Sequence, residues 1–150
     1  MLFRSALKVK IGRVLFLKPL SYMNLSGESV RKAADFFKIT PNQVVIVYDE
    51  MSLPLGRLRL RKSGSSAGHN GIRSVIEHFG SEAVPRVRVG IGGSGSTDAV
   101  GYVLGKFTSA ERPLVGEVIR RAADAVESVS ELGFDPTMNR FNALKIEAEG

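Results

Sequence analysis

The run Val44–Tyr48 constrains the fold more than any other segment, because all five residues are apolar or aromatic and four are β-branched. Such a run is typical of a strand that is buried on both faces of a sheet. Segments with apolar residues at helical spacing precede and follow it, over Gly27–Lys38 and after Thr108. Because strands that alternate with helices indicate an α/β layered domain, the sequence predicts a three-layer α/β/α sandwich around a mixed, mostly parallel sheet.

Local signals predict further elements on both sides of this run. Val14–Leu17 is a short apolar stretch that Pro19 ends, as expected for a strand. The remaining predictions are a helical turn opened by Thr40-Pro41, a helix over Gly71–Phe79, a strand over Val87–Ile91 and a long helix opened by the capping box Thr108-x-x-Glu111.

Composition indicates one domain with a distinctly basic half. The chain has 150 residues, no cysteine, and two histidines, His69 and His78, so we expect neither a disulfide nor a metal site. Residues 1–75 hold 13 basic and 4 acidic residues, whereas residues 76–150 hold 8 and 11. A basic half favours a polyanionic partner, and a solvated basic surface is the alternative. No targeting or membrane-spanning segment is recognisable, which predicts a cytoplasmic protein, expected to be a monomer.

Three polar side chains, Asn24, Asp49 and Asn70, stand where apolar runs break into turns. Loops on a rigid sheet are where α/β proteins carry function. A neutral carboxamide can orient water or donate to a developing oxyanion, and a carboxylate can fix the tautomer of a histidine. Each residue also has a purely structural interpretation, since Asn24 and Asn70 could cap helices and Asp49 could begin an Asx-turn. The adjacent Glu50 is expected to be solvated or in the turn.

Arg57, Arg59 and Arg61 alternate with Leu58 and Leu60, which predicts a strand with one basic face and one core face. The basic face could hold an RNA backbone. A solvated edge strand that its charges keep from pairing is the alternative.

The segments Tyr22-Met23-Asn24, Tyr48-Asp49-Glu50 and His69-Asn70-Gly71 together resemble the bacterial-type peptidyl-tRNA hydrolases, in one register from about Lys8 to about Asn142. The resemblance implies hydrolysis of the ester between a peptidyl group and the 3′-terminal ribose of tRNA, with no metal or organic cofactor. It implies that Asn24 and Asn70 position substrate and water and that Asp49 supports the catalytic histidine. It also implies that Tyr22, Asn24, Asn70, Arg59 and Arg61 contact the tRNA.

The family's catalytic histidine lies upstream of everything aligned here, and this chain has no histidine before His69. We therefore expect a single domain over 1–150 that lacks an N-terminal strand, loop and helix, with residues 1–7 outside the family match. His69 is the nearest histidine to the motif residues, and we do not expect it to replace the missing base. A non-catalytic RNA-binding protein of the same fold is the alternative function. A third interpretation, a nucleotide-binding domain, depends only on the motif Gly90-x-Gly92-x-x-Gly95. This motif is not followed directly by the helix that such a site requires.

Overall fold

Five strands and four helices lie in the part of the chain that the computed structural model describes, residues 6–93 and 105–143. The strands are β1 (Ala6–Ile11), β2 (Val14–Pro19), β3 (Ile46–Glu50), β4 (Leu58–Arg61) and β5 (Arg86–Gly90). The helices are α1 (Ser26–Phe36), α2 (Asn70–Phe79), α3 (Arg112–Leu132) and α4 (Phe134–Ala143), and short 3₁₀ turns span Met23–Leu25 and Pro41–Gln43. The α/β class is confirmed.

The chain divides into two compact units. The first, here called the hairpin unit, holds Lys62–Pro85 and the chain up to Val45. The second, the sheet unit, holds Ile46–Arg61 and the chain from Arg86 onward.

In the hairpin unit, β1 and β2 form an antiparallel pair, and α1 and α2 cross closely. The crossing passes through Gly27, whose N–H donates to Ser74 Oγ at 3.0 Å. A Cβ at Gly27 would lie 2.1 Å from the carbonyl oxygen of Ser74, far inside van der Waals contact. The two helices therefore pack at backbone distance because this position has no side chain.

Strand β1 was missed by sequence reasoning. Its residues alternate between apolar and basic, yet the apolar members Leu7, Val9 and Ile11 are each more than half exposed. The alternation of Leu7, Val9 and Ile11 with two lysines is the sequence signal that could have identified this strand.

In the sheet unit the strand order is β3-β5-β4, with β3 parallel and β4 antiparallel to β5. The sheet is mixed, as predicted, because one of its two described ladders is parallel and the other is antiparallel. Leu60 and Val87 are neighbours in this register and are fully buried, and α3 and α4 pack on β4 and β5.

The prediction that Val44–Tyr48 is buried on both faces is wrong. The strand begins at Ile46, lies at an edge of the three-stranded sheet, and leaves Val47 47% exposed. Within the described residues α3 and α4 pack mainly on β4 and β5, so the side chains of the edge strand receive less cover. An apolar run records a preference for burial, and neighbouring elements decide how much burial is realised.

The outer edge of β4 is satisfied by a side chain of α4. Asn142 Oδ1 accepts from the N–H of Leu60 at 2.8 Å, and Asn142 Nδ2 donates to the Leu60 carbonyl at 3.0 Å. The carboxamide thus replaces a neighbouring strand at this position and fixes α4 to the sheet.

Among the described helices, none has both the length and the apolarity needed to span a membrane.

Candidate functional site

The 3₁₀ turn Met23–Leu25 presents Tyr22 and Asn24 to solvent. Tyr22 is 84% exposed and Asn24 is exposed beside it, while the Leu25 N–H donates to the Tyr22 carbonyl at 2.8 Å. Helix α1 starts at Ser26 with Leu25 at its N-cap, and the N-cap side chain makes no hydrogen bond to the helix. The interpretation of Asn24 as a helix cap is therefore wrong, and its carboxamide is available to a ligand.

The start of α2 presents Asn70 in a similar way. His69 is the N-cap, and its Nδ1 accepts from the N–H of Ile72 at 3.2 Å. Asn70 is the first helical residue and is exposed, so its interpretation as the cap is also wrong. Because the histidine satisfies the backbone of the first turn, the Asn70 side chain is not needed for that task.

These two asparagines lie on elements that pack together. The turn Met23–Leu25 contacts α2, and a Cβ at Gly71 would lie 2.6 Å from Met23 Sδ and 3.1 Å from His69 Cε1. The thioether of Met23 and the ring of His69 thus both lie against the backbone of Gly71. Asn24 follows Met23 and Asn70 precedes Gly71, so this contact brings the two asparagines into one cluster of the hairpin unit.

Asp49 belongs to the sheet unit, as the penultimate residue of β3, opposite Val89 of β5. It is partly buried, in agreement with the expected position near the carboxyl end of a strand. The next residue, Glu50, is buried rather than solvated, so that expectation is wrong. Its carboxylate accepts from Ser52 Oγ at 2.7 Å and lies 3.3 Å from the Arg88 guanidinium, a pair that compensates for the loss of water.

Arg59 and Arg61 are exposed on one face of β4, and Leu58 and Leu60 lie on the other, as predicted. In the antiparallel register Arg59 lies opposite Arg88, and Arg61 lies opposite Arg86. Residues directly opposite each other on neighbouring strands point to the same face. Four arginines of two strands therefore point to this side of the sheet, here called the arginine face: Arg59 and Arg61 are exposed, Arg88 is partly buried and Arg86 is buried.

Sequence reasoning missed the β5 half of this face. The signal was present, since Arg86-Val87-Arg88-Val89 alternates as β4 does. What the sequence lacked was the register that places one alternating strand beside the other.

Like charges at directly opposite positions repel, so the arginine face favours a bound anion. Glu50 offsets Arg88, and the neighbouring Tyr48 interacts with both β5 arginines. Burial raises the pKa of Tyr48, while Arg88 and Arg86 oppose that shift by favouring the phenolate. Because its pKa is raised, the Tyr48 phenol is a neutral group beside the arginine face.

Other candidate sites are not supported by the described residues. The glycine motif lies partly outside them, and Gly90 itself is needed because a Cβ there would lie 2.1 Å from the Pro54 carbonyl oxygen. A cleft of about 480 Å³ between α3 and α4 includes none of Asn24, Asp49 and Asn70. Within residues 6–93 and 105–143, no three His, Asp or Glu side chains are grouped as metal ligands would be.

Comparison with known sequences identifies a family for this geometry. The family model described as peptidyl-tRNA hydrolase matches residues 3–149. The chain is 47% identical over 133 residues to a peptidyl-tRNA hydrolase of Clostridium novyi (strain NT), covering 89% of this chain and 71% of that protein. It is 54% identical over 134 residues to one of Synechococcus sp. (strain JA-3-3Ab), covering 89% and 60%. The match begins at residue 3, so the expectation that residues 1–7 lie outside the family is wrong for residues 3–7.

Solved structures agree with the sequence relatives. The crystal structure of peptidyl-tRNA hydrolase from Acinetobacter baumannii superposes with a TM-score of 0.82 at 36% identity, over 92% of this chain and 71% of that chain. A crystal structure of a peptidyl-tRNA hydrolase in complex with N-propanol gives a TM-score of 0.83, also at 36% identity, over 93% and 72%.

Proposed function

Because this chain belongs to the peptidyl-tRNA hydrolase family, we propose that it acts on peptidyl-tRNA, at the ester between the peptidyl group and the terminal ribose. The observation that carries the proposal is the pair of exposed carboxamides, Asn24 and Asn70, on two elements that pack together. The relatives are hydrolases, so the non-catalytic alternative has no support among them.

The two carboxamides suit the task of holding a neutral, polar substrate end. Each offers two N–H donors and a carbonyl acceptor, and neither changes charge with pH. In the proposed reaction Asn24 and Asn70 position the terminal nucleotide and the attacking water, and donate to the oxyanion as the ester carbon becomes tetrahedral. Tyr22, which is 84% exposed, offers a ring on which a base can stack.

The arginine face suits the tRNA backbone. Guanidinium groups bind phosphates through paired N–H donors, and each phosphate contact releases counterions, so affinity depends on salt. Arg59 and Arg61 are the proposed contacts because they are exposed, and Arg88 lies beside Arg59 in the register. The basic composition of residues 1–75 supports the same partner.

Proton transfer is the part of the reaction that these residues do not supply. Asp49 is proposed to orient a histidine base and raise its basicity. The 150 residues contain only His69 and His78, and both use Nδ1 in hydrogen bonds of α2. We propose neither as the base. The proposal includes no metal or organic cofactor, and it places a monomeric protein in the cytoplasm with the translation machinery.

Binding of deacylated tRNA with an intact 3′ end tests the proposal. Asn24→Ala and Asn70→Ala should each weaken binding roughly three- to tenfold, as expected for a lost hydrogen bond. The control is Asn139→Ala, an exposed asparagine of α4 in the sheet unit, which should bind as the unmodified chain does. Failure of the unmodified chain to bind tRNA, or equal affinities for all four proteins, would refute the proposed site.

A further inference from the structure

The two histidines of the chain both bond to α2, but through Nδ1 atoms in opposite roles. His69 Nδ1 lies 3.2 Å from the backbone nitrogen of Ile72. A backbone N–H can only donate, so this Nδ1 carries no proton. His78 Nδ1 lies 2.7 Å from the carbonyl oxygen of Ser74, which can only accept, so this Nδ1 carries one.

We infer that His69 is a positioning residue for Asn70, held as the neutral tautomer with its proton on Nε2. The inference rests on the proposed function of Asn70 and deepens it. With its Nδ1 lone pair bonded to Ile72 and its Nε2 protonated, the ring has no lone pair left to accept a proton from water. His69 is therefore a donor and a cap, and the structure assigns it a role other than general base.

The choice of capping residue explains why this arrangement matters. Asparagine is among the residues that cap helices best, and Asn70 stands one position away. If Asn70 capped α2, its carboxamide would be directed at the helix backbone. A histidine cap at position 69 moves Asn70 into the first helical turn, where it is exposed. The cap thus releases the carboxamide for the substrate.

The same ring lies where the two asparagine-bearing elements meet. His69 Cε1 and Met23 Sδ both lie close to the position that a Cβ of Gly71 would occupy. Met23 precedes Asn24, and Gly71 follows Asn70. Loss of the ring would therefore open space beside the Gly71 backbone, on the side where the turn Met23–Leu25 meets α2.

Nitrogen-15 NMR of the unmodified 150-residue chain near neutral pH tests the tautomers directly. Correlations between the ring carbon-bound protons and both ring nitrogens distinguish a protonated nitrogen from an unprotonated one. We expect His69 to carry its proton on Nε2 and His78 to carry a proton on Nδ1, so the second histidine serves as an internal control. A proton on His69 Nδ1 would overturn the inference.

Substitution separates positioning from direct contact. His69→Ala should weaken binding of a short RNA hairpin ending in CCA by roughly fivefold, the factor that corresponds to a typical lost N-cap. His69→Asn restores a capping acceptor without the imidazole and should recover most of that affinity. His78→Ala is the control for loss of a histidine from the same helix and should retain it.

Two results would overturn the positioning role. One is unchanged RNA affinity in His69→Ala, and the other is failure of His69→Asn to recover affinity although its thermal unfolding matches the unmodified chain. The second result would make the ring itself a contact to RNA. If the unmodified chain does not bind this RNA, the proposed function fails and the positioning role fails with it, whereas the tautomers are still decided by the spectra.

Discussion

The candidate site residues of the two units differ in their chemistry and in the kind of backbone that carries them. The hairpin unit exposes neutral groups on a turn and at a helix start, namely Tyr22, Asn24 and Asn70. The sheet unit exposes charge on regular strands, through Arg59 and Arg61. Neutral amides act over hydrogen-bond distance and depend on orientation, whereas guanidinium groups attract phosphates over about a Debye length. In the proposed function, Asn24 and Asn70 orient the reacting end of the tRNA, and Arg59 and Arg61 hold its backbone.

The units also differ in what stabilises them. The hairpin unit depends on the close approach of α1 and α2 at Gly27, and the sheet unit encloses the pair Glu50–Arg88. A steric contact tolerates no added atom, and a buried ion pair tolerates no lost partner. The hairpin unit should therefore be destabilised by an added side-chain atom at Gly27, and the sheet unit by removal of one partner of the Glu50–Arg88 pair.

The largest expected effect concerns turnover, because neither unit supplies a histidine free to act as a base. The 150-residue chain should hydrolyse peptidyl-tRNA on the order of 10²–10⁴-fold more slowly than the Clostridium novyi relative, the usual contribution of positioned acid–base catalysis. Single-turnover hydrolysis beside the Clostridium novyi relative would measure this. A chain that matched the relative, and lost its rate on His69→Ala, would make His69 the base and contradict the account.

Removal of Glu50 should produce the largest change in stability. Glu50→Ala leaves the largely buried Arg88 guanidinium without its carboxylate, and breaking a buried pair costs about 3–5 kcal/mol. The control is Glu117→Ala, which removes a more exposed partner of Arg120 and Arg121 and should cost about 0–1 kcal/mol. Urea unfolding followed by circular dichroism gives both values. Similar losses in the two variants would show that the Glu50 pair is no more important than a surface pair.

Glycine substitutions test the steric contact of the hairpin unit. Gly27→Ala places a Cβ against the Ser74 carbonyl and should cost about 1–3 kcal/mol, the range for overpacking. Gly116→Ala, on α3 of the sheet unit, meets no atom within 4 Å and should stabilise by about 0.5–1 kcal/mol. Thermal unfolding of the two variants should therefore shift in opposite directions. Stabilisation by Gly27→Ala would mean that α1 and α2 do not meet as described.

Salt dependence distinguishes the two proposed contributions to RNA binding. Replacing Arg59 and Arg61 together with Ala should lower the slope of log K against log salt by about 2, one for each lost phosphate contact. Asn24→Ala should weaken binding and leave the slope unchanged, since a neutral amide releases no counterion. Filter binding across a salt series measures both. An unchanged slope in the double arginine variant would remove the arginine face from the interface.

The smallest expected effect is at alkaline pH. Burial raises the pKa of Tyr48 above the ordinary value near 10, so the folded state resists ionisation that the unfolded chain undergoes. The stability linked to this group is present in full below the ordinary pKa and is lost as pH rises through the raised one. Tyr48→Phe should therefore lose less stability in that range than the unmodified chain. Tyr22→Phe, which alters an exposed ring, is the matched control, and identical alkaline profiles for both variants would contradict the effect.

The sequence determined which segments are strands and helices where the signal is local. Thr40-Pro41 opens a 3₁₀ turn as predicted, with the Thr40 N–H donating to Gln43 Oε1 at 3.0 Å. Arg59 and Arg61 lie on the exposed face of β4 because side chains alternate along any strand. The motif residues Asn24, Asp49 and Asn70 were likewise identified from short segments and a family resemblance. Their catalytic roles stay predictions.

Only the tertiary structure decided which residues are neighbours. It placed Arg88 beside Arg59, buried Glu50, left Val47 at an edge, and gave the cap of α2 to His69 rather than Asn70. Each outcome depends on atoms far apart in the chain or on which of two neighbouring residues makes a given hydrogen bond. The period of side chains is fixed by backbone geometry within a few residues, whereas register, burial and hydrogen-bond partners are fixed by whatever else packs at that place.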